Sequence, residues 1–193
     1  MSFAALPRHA AWRHRGARAG FEVVFFDDRD AGCLIHGCTA AIEDGTPWTV
    51  GYAIELDGAG ATRSARISGR SAAGPRSALL EGDGAGRWVV NGQPAPWLDG
   101  CLDVDLESSA MTNALPVRRL ALAVAARASA PAAYVRAADL AVDRLEQTYV
   151  RAPGQGAGEC YDYAAPAFDF ETRLTYDRSG LVLDYPGIAI RAG

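Results

Sequence analysis

Between residues 99 and 107 the chain reads DGCLDVDLE, with carboxylates at every second position from Asp103 to Glu107. If Leu102, Val104 and Leu106 face a core, strand geometry sets Asp99, Cys101, Asp103, Asp105 and Glu107 on the opposite face. Asp103 and Asp105 then lie roughly 6.5 to 7 Å apart at Cα, near the roughly 6.5 to 9.5 Å that separates acid and base in inverting glycosidases. Unequal burial would raise the pKa of one and make it the acid. Arg118 and Arg119 return after a turn around Ser108 to Pro116, so charge-assisted hydrogen bonds to the same carboxylates are an equally direct reading. Asn113, ahead of an extended Leu115-Pro116 pair, suits a turn fixed by its own side chain. Structural pinning, hydrogen bonding to a ligand and acid-base catalysis thus remain three meanings of one cluster.

Other chemistries find less in the chain. All three histidines precede residue 37 and none neighbours a nucleophile motif, which disfavours covalent hydrolysis by a Ser-His-Asp arrangement. Cys33, His36 and Cys38 lack both a Cys-x-x-Cys pair and a second nearby histidine, so small side chains rather than zinc ligands are expected, and no metal or cofactor is implied. The glycine-rich run Gly82 to Gly86 leads into Trp88, Val89 and Val90. A phosphate cradle needs a helix N-terminus there, so a hairpin turn is the better reading.

A net charge of −4 gives no whole-molecule attraction to nucleic acid, although Arg8, Arg13, Arg15 and Arg18 put +4 into the first twenty residues. The rest of the chain holds 15 arginines against all 23 acids, or −8. No apolar stretch reaches the roughly 18 to 20 residues of a membrane-spanning helix. Without a secretory signal pattern, a cytoplasmic location is expected, with Cys33, Cys38, Cys101 and Cys160 as thiols.

The elements that must position these groups are mostly strands. Trp48, Val50, Tyr52, Ile54 and Leu56 alternate with Thr49, Gly51, Ala53 and Glu55, as in a half-buried antiparallel strand. Phe168, Phe170, Leu174 and Tyr176 alternate with Asp169, Glu171, Arg173 and Thr175. A turn over 177–180 and then Leu181, Leu183 and Tyr185 complete a hairpin. Phe21 to Phe26, Arg63 to Ser68, Trp88 to Val90 and Tyr134 to Ala137 add strands, giving an all-β roll or barrel. Helix propensity favours a helix over Arg136 to Tyr149. At 193 residues the chain is expected to form one domain over 1–193.

In GCLDVDL and TNALPVRRL, in Gln147 and Tyr149 of LEQTYVR, and in the closing FDFETRLTYDRSGLVLDYPGIAIR, the chain resembles the putative glycolipid-binding family of bacteria. Trp12, Gly20, Glu22, Tyr52, Asp57 and Arg63 fit its looser pattern, although Gly58 to Thr62 lacks an aromatic residue usual in its members. The resemblance implies a single curved antiparallel β-roll or barrel with little helix, similar in outline to lipoprotein carrier folds, and turns Arg136 to Tyr149 into strands. It also implies a non-enzymatic binding protein for a glycolipid or similar amphiphile. The tail would lie inside the roll and the headgroup near Asp103, Asp105, Asn113, Arg118, Arg119, Gln147 and Tyr149, with Trp48, Tyr52, Trp88, Trp97, Phe168 and Phe170 as an apolar wall. A carbohydrate-active hydrolase using Asp103 and Asp105, and a protein-interaction domain, are the competing readings.

Overall fold

The computed structural model describes residues 3–154 and 158–192. Its strands are β1 (His9–His14), β2 (Arg18–Arg29), β3 (Gly32–Glu43), β4 (Thr46–Asp57), β5 (Thr62–Ser71), β6 (Gly74–Gly82), β7 (Trp88–Val90), β8 (Gln93–Pro94) and β9 (Asp103–Leu106). One helix, α1 (Ala114–Leu120), follows. The chain continues through β10 (Arg127–Ser129), β11 (Ala132–Val135), β12 (Val142–Leu145), β13 (Thr148–Ala152), β14 (Glu159–Ala165), β15 (Phe170–Tyr176), β16 (Val182–Tyr185) and β17 (Ala189–Arg191).

Fourteen strands form one antiparallel sheet in the order β10-β13-β14-β15-β16-β17-β1-β2-β3-β4-β5-β6-β7-β8. No ladder joins β10 to β8 among the described residues, so the sheet is a roll that does not close. Its curvature follows from what it encloses. Ser109 meets Tyr52 of β4 at 3.2 Å, and Asn113 accepts a hydrogen bond from Tyr149 of β13 at 3.1 Å. In a flat sheet those strands would stand about 38 Å apart, whereas four residues of chain span at most about 14 Å. The sheet therefore bends around the segment from β9 to α1, which is buried almost throughout.

Burial alternates along β4 as the sequence predicts, with Trp48, Val50, Tyr52 and Ile54 inside. Tyr52 lies flat across its partner Gly37, where a Cβ would fall 2.0 Å from the ring. Three turns share one construction, over 57–61, 83–87 and 177–181. In each, the leading aspartate accepts backbone N–H groups two and four residues on, and a glycine with φ between 75° and 97° occupies the fourth position. This local carboxylate occupies the amides that would otherwise invite a phosphate, so the glycine-rich run is indeed a turn.

Three expectations need correction. β9 does not present an acidic face opposite an apolar one, because all four of its residues are buried. It sits inside the roll in a second sheet of order β12-β11-β9, paired in parallel with β11. Leu115 and Pro116 are helical rather than extended. Pro116 falls in the first turn of α1, where no intrahelical N–H donor is required. Over 136–149 the strands that the resemblance implies are present, as β12 and the start of β13, in place of the helix that local propensity favours, and a turn with Leu140 at φ 58° separates them from β11. Finally, β15 begins two residues later than its aromatic alternation suggests, because Pro166–Phe168 forms a 3-10 turn.

Candidate functional site

The cluster read from the sequence divides into two parts. Asp103, 1% exposed, is held at both carboxylate oxygens by Arg119, whose Nε donates at 3.1 Å and whose Nη2 completes a bidentate pair. Burial raises the Asp103 pKa, and the Arg119 guanidinium opposes that shift. Arg118 turns away from the acids. It donates to the backbone carbonyls of Ser179 and Ala4, and its guanidinium lies 5.8 Å from the Phe3 ring centroid. An acid-base pair of Asp103 and Asp105 is thereby disfavoured, since Asp103 is fully engaged by Arg119.

Asp105 has a different setting. Thr112 donates its hydroxyl to Oδ1 at 2.9 Å, and the Gln147 side-chain amide donates to Oδ2. Burial drives the Asp105 pKa up from 3.8 to about 6, against those hydrogen bonds and with smaller contributions from the charges of Asp103 and Glu107. The carboxylate lines a partly open cavity of ≈250 Å³. Deep in this cavity lie the buried Asp105, Ser109, Asn113, Tyr163 and Tyr185, together with Leu106, Leu145 and Ala165. Its mouth is formed by the half-buried Tyr134, Phe170 and Ile188, the exposed Phe168 and the arginines Arg15 and Arg18.

The aromatic side of this cavity is built by neighbouring rings. Tyr163 stands 5.1 Å from Tyr149, 6.3 Å from Phe170 and 6.1 Å from Tyr185, while Tyr134 and Phe168 meet at 5.4 Å. Gln147 also donates to the Tyr163 hydroxyl at 3.1 Å, linking that hydroxyl to Asp105 through one amide. Arg18 fixes the opposite lip by donating to the Glu107 carbonyl at 2.7 Å and lying 5.4 Å over Trp48.

Of the residues singled out in the sequence, Asp105 and Asn113 line the cavity, as do Phe168 and Phe170 of the aromatic set. Gln147 and Tyr149 stand directly behind it through their bonds to Asp105 and Asn113. Asp103, Arg118, Arg119, Trp48, Tyr52 and Trp88 do not line it. Trp88 donates its indole N–H to the Cys101 carbonyl, and Tyr52 donates its hydroxyl to Glu22 at 2.6 Å. Trp97 is about half exposed and away from the cavity.

Glu22 was not among the predicted site residues, yet it holds the cavity's inner loop. Its fully buried carboxylate also accepts the Ser109 hydroxyl and the Ala110 amide at 2.8 Å. Burial raises its pKa against these hydrogen bonds. A sequence signal existed in FEVVFF, where one acid interrupts an apolar strand, but that run does not reveal which face turns inward. Tyr163 of β14 and Tyr185 of β16 were missed as well, because these strands flank β15 and alternation along each does not reveal that both rings turn to one cavity.

Cys33 is buried, whereas His36 and Cys38 are exposed on β3, so the three do not converge. Among the described residues no group of three or more His, Cys, Asp or Glu side chains could hold a metal ion. No helix among them is long and apolar enough to cross a membrane.

A mostly β roll around a partly open cavity fits a binding role. The chain belongs to the putative glycolipid-binding family, whose model matches residues 9–191. It is similar over all of its length to the crystal structure of a DUF1089 family protein from Pseudomonas aeruginosa, with 30% identity, a TM-score of 0.77 and 98% of that chain covered. A beta-barrel-like protein of the domain of unknown function DUF1849 from Brucella abortus shares the fold at 13% identity and a TM-score of 0.58, covering 98% of this chain and 96% of that one. No curated protein matches the chain.

Proposed function

We propose that the protein is a non-enzymatic binder of a glycolipid or similar amphiphile, taking a hydroxylated headgroup against Asp105 and leaving the apolar tail along the Phe168 rim. The observation that carries this reading is the arrangement of the cavity: the buried end sets a carboxylate, an amide and two phenols among aliphatic walls, and the open end carries aromatic rings flanked by Arg15, Arg18 and Glu107. This reverses the orientation expected from the sequence, in which the tail entered the roll.

Size supports the reversal. A volume of ≈250 Å³ equals about eight waters, room for a sugar-sized group rather than a headgroup with its chains. Asp105 accepts two protein hydrogen bonds, leaving lone-pair capacity for ligand hydroxyls. The Asn113 amide N–H₂ makes no hydrogen bond within the described residues and adds donors. Rings at the mouth suit both a sugar face and methylene groups. We also propose a reducing, cytoplasmic setting, supported by four free cysteines.

Organic extraction of the purified protein followed by mass spectrometry tests the reading. A stoichiometric amphiphile is expected. Calorimetric titration with an alkyl glucoside below its micelle concentration should saturate at one site, and Asp105→Asn with Tyr163→Phe should weaken it at least about tenfold. An empty extract together with no saturable binding of glycosides or glycolipids would refute it.

A further inference from the structure

Strand β2 spends its apolar residues unusually. Glu22, Val24 and Phe26 face the interior, which leaves Phe21 at 44% exposure and Phe25 at 54% on the outside of the sheet. The same outer face continues across five strands in register. One row runs from Arg13 through Phe21 to Ala40, Thr49 and Arg70. The next passes through Ala11, Val23 and Cys38, and the third links His9, Phe25 and His36 to Arg66 beyond Ala53. These three rows contain no carboxylate between β1 and β5. Within β1–β5 acids begin in the following row, at Asp27 and Glu55, and the Arg13 row reaches the exposed Asp184 two strands beyond β1. An open groove of ≈610 Å³, with Ala40, Ile42, Pro47 and Arg70 among its walls, continues the apolar surface toward the β3–β4 turn.

We propose that this outer face of β1–β5 docks onto an anionic lipid bilayer. Exposed phenylalanines bordered by arginines on both sides match the layered chemistry of a membrane surface, where rings enter the headgroup boundary and guanidinium groups meet phosphates. A contiguous apolar patch of this kind marks an interaction surface, and its charge selects a negatively charged occupant. The face lies outside the roll and shares no lining residue with the Asp105 cavity, so docking does not depend on what the cavity holds.

Cosedimentation tests this with vesicles of phosphatidylcholine alone and of equimolar phosphatidylcholine and phosphatidylglycerol, both free of glycolipid. Binding to the anionic vesicles is expected at about 0.05 M salt and should fall steeply at about 0.5 M. Replacing Arg13, Arg66 and Arg70 together by Gln should weaken it on the order of a hundredfold, and Phe21→Ser with Phe25→Ser on the order of tenfold. Circular dichroism checks that both variants remain folded, and the exposed arginine set provides a test even if the phenylalanine pair does not. Cys38, exposed in the central row while the other three cysteines are buried, supplies a positional readout. Anionic vesicles should slow its reaction with a thiol reagent. Absence of binding, equal binding by the arginine variant, or an unprotected Cys38 in the bound protein would overturn the proposal. So would a vesicle-free dimer that buries Cys38, because it would assign the face to a second copy of the chain.

Discussion

Replacing Asp105 by Asn should stabilise the protein, and by more at neutral than at acid pH. With a pKa pushed up from 3.8 to about 6, the folded state holds the Asp105 proton more tightly than the unfolded state. Stability contributed by this group therefore declines as pH rises through the interval between those values and remains lowered above it. Linkage gives a penalty of about 1.6 kcal/mol at pH 5 and about 3 kcal/mol at pH 7.5. Asn removes the titration but faces Thr112 and Gln147, both donors, so a hydrogen bond costing about 1 kcal/mol is lost at every pH. Urea unfolding of both proteins should show their stability difference shifting by about 1.4 kcal/mol in favour of the variant between pH 5 and 7.5, at constant m-value. A difference independent of pH would refute the assignment of a raised pKa to this carboxyl. A shift of opposite sign would mean that its hydrogen bonds outweigh its burial.

The divided fates of the two arginines can be measured by calorimetry. Arg119→Met leaves Asp103 buried without its cation and should lose about 3 to 5 kcal/mol, whereas Arg118→Met, whose partners are neutral carbonyls, should lose about 1 kcal/mol. Gly37→Ala would drive a methyl into the Tyr52 ring and should lower thermal stability by more than about 2 kcal/mol, while Gly51→Ala, with its nearest neighbour at 3.3 Å in a serine side chain, should lose far less. A thiol reagent should titrate one cysteine, Cys38, in the native protein and all four in urea. Rapid reaction of Cys101, whose thiol burial pushes up to about 11, would contradict the packing around Trp88.

Strands exposed on one side were the legible part of this fold. β4 declares itself because one face is covered and the other wet, and the 57–61, 83–87 and 177–181 turns carry their own aspartate and glycine. The interior segment was harder to read. Alternation of acid and aliphatic residues in β9 looks like a half-buried strand. Its charged side chains are nevertheless inside, because their partners arrive from Arg119, Thr112 and Gln147 on other elements. The Asp103–Arg119 pairing was foreseeable from charge, but the assignment of Arg118 to Ser179 depended on the hairpin that α1 approaches. Tyr163 and Tyr185 entered the cavity for a related reason. Sequence marked Tyr185 as a strand residue and left Tyr163 unassigned, while only the bend of the sheet turned both toward Asp105.

Strand β1 pairs with β17, Trp12 opposite Arg191, and the arginine stacks 4.8 Å over that indole. The two strands are the first and last among the described residues, so the seam between the halves of the sheet is formed by its most sequence-distant pair. During synthesis the β1–β8 meander keeps its β1 edge bare until β17 emerges, so an unpaired strand edge stays exposed for that delay. The same seam makes a circular permutation attractive: a short linker from β17 to β1, with new ends opened at the exposed Asp99–Gly100 turn that no ladder crosses, would convert the most sequence-distant ladder into a local one. Refolding should then accelerate without any change in the native ladder.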